Sequence, residues 1–86
     1  MAQEKAVVFN LFAVRARLEA VLNRRVHWQE IAAGSRLNIN TVVNMANNKT
    51  SRVDCETLTK LLRYFRGQGL DITVGDLFRE QETAAP

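Results

Sequence analysis

The 86-residue sequence holds one cysteine, Cys55, one histidine, His27, and one proline, Pro86. A lone thiol cannot close an internal disulfide, and one thiol with one imidazole falls short of a zinc ligand set. The cysteine usage fits a reducing compartment and predicts a cytoplasmic protein. With one proline and four glycines, the chain is neither collagen-like nor low-complexity. Long apolar runs are also missing. The first one, Ala6 to Phe9, is four residues long and directly follows Glu4 and Lys5. A signal peptide needs a longer stretch, and a membrane span needs about 20 residues. The expectation is a soluble chain with no membrane partner.

Catalytic groups are equally scarce. A nucleophile–base pair would have to be Cys55 with His27, and nothing in the sequence places them together. No carboxylate pair and no phosphate-cradling glycine loop is visible. The chain is therefore not expected to be an enzyme, to hold a metal or cofactor, or to enclose a small-molecule pocket. What it does have is a hydrophobic fraction of 47%, ordinary for one globular domain. A chain this short buries only about 60–65% of its unfolded surface, so its core must be compact.

One sign of charge is missing from the middle. The net charge is +3, and from Ile31 to Val53 there is no Asp or Glu, while Arg36, Lys49 and Arg52 fall inside. The last segment carries Asp71, Asp76, Glu80 and Glu82 against Arg79. A positive middle beside an acidic end points to an anionic partner for the middle.

The apolar residues mark the elements. Val14, Leu18, Val21 and Leu22 share one helical face and predict a first helix over Leu11–Arg25. The preceding "AVVFNL" is β-rich and reads as a short strand or a helix lead-in. A second helix spans Trp28–Ser35, with Ile31 and Ala32 inward. Asn38 can cap a third helix over Ile39–Asn47, and Asn48 suits a left-handed residue at its end. Asp54 caps the fourth, where Leu58, Leu61, Leu62 and Phe65 repeat at helical spacing up to Gly67. Thr73 and Asp76 have capping-box spacing for a short fifth helix, with Leu77 and Phe78 packing inward. The expected fold is all-α, a compact bundle of five short helices. Residues 1–10 form the lead-in or short strand, residues 11–79 the domain, and residues 80–86 a flexible tail.

Two helices of about eight residues joined by a tight turn make a helix-turn-helix. Within "NINTVVNMANNK", Val42 and Met45 face the core. At 100° per residue, Ile39, Asn40, Val43, Asn44 and Asn47 are left exposed. Asn40 and Asn44 lie one turn apart, and asparagine can pair with the N6 and N7 edge of adenine in a major groove. Ile39 and Val43 can touch thymine methyl groups. Thr41, Asn48 and Lys49 flank this sector, where sugar-phosphate walls would lie.

The segment "VHWQEIAAGSRLNINTVVNMANNK" resembles the helix-turn-helix core of the Cro/C1-type (XRE) repressor-like DNA-binding domains. The likeness runs on through "KTSRVDCETLTKLLRYF" to "VGDLF", similar to the "PGDLL" that closes many members, and covers roughly residues 10–78. The resemblance implies a lambda-repressor-like fold, with base contacts from Ile39, Asn40 and Asn44. It implies phosphate contacts from Trp28, Thr41, Asn47, Lys49, Thr50 and Arg52. Three positions depart from the family pattern. Trp28 stands where glutamine is usual, Arg36 replaces the glycine of the turn, and Asn48 replaces the glycine of the following loop. The expected function is a sequence-specific, double-stranded-DNA-binding transcriptional regulator, a repressor acting as a homodimer. "AVVFNLF" is the first candidate for the dimer contact and the fifth helix the second. Two other readings fit the sequence. One is an antitoxin-type regulator that also neutralises a partner protein. The other is a helical adaptor whose amide-rich face docks on protein.

Overall fold

The structure, a computed structural model, describes residues 4–50 and 52–83. Strand β1 (Glu4–Phe9) leads into helix α1 (Leu11–Leu22), followed by α2 (Trp28–Ser35), α3 (Ile39–Ala46) and α4 (Cys55–Gly67). A single 3-10 turn, Val74–Leu77, then passes into strand β2 (Phe78–Thr83). β1 and β2 pair antiparallel, with Phe9 opposite Phe78 and Val7 opposite Glu80.

This corrects the all-α, five-helix expectation: the described chain has four α-helices and a two-stranded sheet. The fifth helix fails for a physical reason. Its capping signal is real, since the Asp76 carboxylate accepts from the Thr73 N–H at 2.8 Å. After Leu77, however, no apolar residue recurs at helical spacing, so one turn is all the core rewards. The β-branched run of β1 instead takes residues 78–83 as its ladder partner. The two rings of Phe9 and Phe78 stack at 5.3 Å and anchor the pair to the core. The Asn10 N–H donates to the Leu77 carbonyl at 2.8 Å and ties the sheet to the start of α1. Of the tail expected at residues 80–86, residues 80–83 belong to β2, while 84–86 lie outside the described residues.

The core gathers one side of every helix. Leu11, Val14 and Leu18 come from α1, Ile31 and Ala32 from α2, Val42, Met45 and Ala46 from α3, and Leu61 and Phe65 from α4. Leu70, Ile72 and Leu77 close it from below. α1 is shorter than its apolar pattern suggests, because Asn23 turns left-handed at φ 55° and Val21 is left outside, 51% exposed. Gly34 lets α2 approach α4. A Cβ there would sit 2.2 Å from the Tyr64 ring, far inside any real contact.

Candidate nucleic-acid interface

The turn between α2 and α3 decides where α3 points. Arg36 adopts φ 59°, the left-handed region that glycine usually fills, and its N–H bonds back to the Ala33 carbonyl at 3.2 Å. The left-handed conformation costs a side-chain-bearing residue roughly 1–2 kcal/mol, yet the turn keeps the geometry. Leu37 follows with its N–H on the Ala32 carbonyl at 2.9 Å. The Asn38 side chain then accepts from the Asn40 N–H at 2.8 Å and caps α3 as expected.

With Val42, Met45 and Ala46 locked in the core, the opposite side of α3 faces solvent. Asn40, Asn44 and Asn47 are exposed, Ile39 is 38% exposed, and Val43 is half-buried between them. The four residues expected at bases thus share one outward sector, with Ile39, Asn40 and Asn44 standing further out than Val43. α3 has no acidic residue in its first turn, so no carboxylate of the helix start repels an anion there.

The residues expected at phosphates divide. Thr41, Asn47, Lys49 and Arg52 are exposed around the sector. Among the described residues, neither Lys49 nor Arg52 has an ion-pair partner. Thr50 is half-buried, and its hydroxyl donates to the Arg52 carbonyl at 2.9 Å, so it shapes the loop. A groove of about 280 Å³ runs between α3 and the start of α4, walled by Thr41, Asn44, Thr50, Arg52, Asp54 and Thr57. Asp54 caps α4 by accepting from the Thr57 N–H at 2.8 Å. Hydrogen bonds from Thr57 hold the Asp54 carboxyl below its ordinary range.

Trp28 is half-buried and belongs to an aromatic cluster. Its ring meets Phe12 edge-on at 5.2 Å, and the Arg15 guanidinium lies 4.3 Å from its centroid. Nothing in the local sequence announces this cluster. Phe12 and Arg15 sit three residues apart on α1, beside its core stripe, and only the chain reversal brings Trp28 to them. The α1–α2 junction is held by Arg24, whose guanidinium bonds both carboxylate oxygens of Glu30. That bond keeps the Glu30 carboxyl below its usual range.

Asn48 has a role the sequence did not reveal. The sequence sets it beside the expected phosphate wall, but its side-chain oxygen accepts from the Phe9 N–H at 2.7 Å. The backbone there is left-handed at φ 57°. One residue therefore both turns the chain out of α3 and clamps the end of that helix to β1. Asn48→Gly removes only the acceptor and is expected to cost about 1–2 kcal/mol in urea unfolding, from the half-buried Phe9 N–H left without a partner. Asn48→Ala is expected to cost about 1–2 kcal/mol more, from the left-handed backbone. Equal losses in the two variants would contradict the conformational part.

Among the described residues, no three His, Cys, Asp or Glu side chains come together as a metal site needs, and no helix is long and apolar enough to cross a membrane. In comparison with known proteins, no family model, no curated protein and no solved structure matches the chain.

Proposed function

We propose that the chain is a sequence-specific, double-stranded-DNA-binding transcriptional regulator, acting as a repressor in the cytoplasm. The observation that carries this reading is the outward face of α3. Exposed carboxamides stand beside Ile39 and Val43 on a helix whose other side is fixed in the core. A solvated face has no use for exposed apolar groups among its amides, whereas a major groove offers a partner to each. Adenine edges suit Asn40 and Asn44, and thymine methyl groups suit Ile39 and Val43. Lys49 and Arg52, free of carboxylates among the described residues, flank the helix where the phosphates of a bound duplex would run.

A homodimer suits this reading, because two copies related by a two-fold axis would meet half-sites about 34–36 Å apart. β1 supports such a contact. Its Phe9 N–H points away from β2, toward Asn48, so by strand alternation the Val7 N–H and carbonyl also lie on the outer edge. Val7 is 70% exposed there. An open edge of this kind can pair with its own copy.

Titration with a random-sequence duplex at several salt concentrations tests the reading. Binding should weaken steeply as salt rises, through counterion release. Lys49→Ala should weaken binding to all sequences alike and flatten the log–log salt slope by about one. An unchanged slope removes Lys49 from the phosphate contacts. Absence of salt-dependent binding in the unaltered chain contradicts the reading and favours an adaptor that docks on protein.

A further inference from the structure

We infer that Arg15, seated on the Trp28 ring, binds a backbone phosphate, and that Trp28 positions it there without touching the phosphate itself. The inference rests on the DNA-binding reading above and reassigns the contact that the resemblance gives to Trp28.

Arg15 is half-buried on α1, with its guanidinium 4.3 Å from the Trp28 centroid and 5.3 Å from that of Phe12. Its Nε is fully buried and has no hydrogen-bond partner. Among the described residues no carboxylate pairs with it. Glu19, one turn along α1, is the nearest acidic residue on this stretch, but its carboxylate accepts from the Val26 N–H at 2.8 Å. A partly desolvated cation with no anion is costly, and the stack on two rings offsets only part of that cost. A bound phosphate would supply the missing counter-charge. The same stack restricts the guanidinium before any ligand arrives, so less side-chain freedom is lost on binding.

The surroundings select the ligand class. Beside Arg15 opens a groove of about 290 Å³, lined by Arg25, Val26, His27 and Glu19, whose carboxylate is engaged by the Val26 N–H. Arg25 and His27 are exposed, and neither has an ion-pair partner among the described residues. The groove sits at the start of α2, the helix that crosses the DNA backbone when a helix-turn-helix docks. The groove opens to solvent at the surface, where a phosphodiester strand can reach the Arg15 guanidinium.

The test uses the full chain, a random-sequence duplex and inorganic phosphate at matched ionic strength. Arg15→Gln should lower the salt slope by about one and weaken binding to every sequence by about eightfold at 0.1 M salt. Arg15→Lys keeps the charge and should keep the slope. If the Gln variant loses its helical circular dichroism, Arg15→Met, which keeps the aliphatic stem on the ring, takes its place. Trp28 is the sole tryptophan, so its fluorescence reports the site directly in the unaltered chain. The duplex should shift its emission and inorganic phosphate should not. An unchanged slope in the charge-removing variant, unchanged Trp28 emission on saturation with duplex, or an equal shift with inorganic phosphate would each overturn the inference. If the unaltered chain binds the duplex with a steep salt slope, those results leave the DNA-binding reading standing. Failure of the unaltered chain to bind overturns both.

Discussion

Phe65→Ala is expected to lower the unfolding free energy by about 3–5 kcal/mol, the usual cost of truncating a fully buried phenylalanine. Phe65 has no exposed surface, and its position on α4 explains why the effect should fall at the upper end. Its ring packs edge-on against Tyr64 at 5.4 Å, and the Tyr64 ring fills the space left by Gly34 on α2. Its carbonyl accepts from the Leu70 N–H at 3.0 Å, where the chain leaves α4 for the last segment. Removing the ring therefore opens a cavity between α4 and the helix that sets the angle of α3. A domain of this size has roughly 4–13 kcal/mol of stability in total, at about 0.05–0.15 kcal/mol per residue. The variant should accordingly sit near its folding threshold. Urea unfolding followed by circular dichroism measures the loss, with Arg63→Ala, at an exposed position, as a control expected to stay within about 0.5 kcal/mol. A loss below about 1 kcal/mol for Phe65→Ala would mean that α4 does not pack as described.

The second large effect concerns recognition and leaves stability nearly untouched. Asn40→Ala and Asn44→Ala should each lose about 1–3 kcal/mol of affinity for a specific duplex, the worth of one bidentate base contact. The two side chains stand one turn apart and on the proposed reading would meet different base pairs, so the double variant should approach the sum. Both residues are exposed, and among the described residues neither side chain forms a hydrogen bond. Affinity for random duplex should stay close to that of the unaltered chain, because phosphate contacts supply it. Equal losses on specific and random duplexes would show that these amides do not read bases.

Much of this face was legible because its signals are local. Asn38 caps α3 through a side chain two residues from its donor, and the apolar pair Val42 and Met45 fixes which side of α3 turns inward. Asp54 and the leucine repeat marked α4 for the same reason, although Leu58 and Leu62 prove to be half-buried. The features that escaped depend on distant partners. "FREQET" has one apolar residue, Phe78, at its start, so nothing within it identifies a strand. Its strand character comes from β1, some 70 residues earlier in the chain. The Asn48 clamp joins residues 39 positions apart, and the seat of Arg15 on Trp28 needs the reversal after α1. Val21 follows the apolar stripe of α1 but is stranded outside, because the left-handed Asn23 ends the helix before the stripe can continue inward.

Selection of bound sequences from a random duplex pool at moderate salt tests the reading of base edges by α3 most directly. The enriched pool should converge on A·T-containing half-sites arranged as an inverted repeat one helical turn apart, centre to centre. The same selection with the Asn40 and Asn44 double alanine variant should lose that preference while still retaining duplex. A pool that binds but shows no sequence preference, or one from which nothing is retained at low salt, would contradict the account.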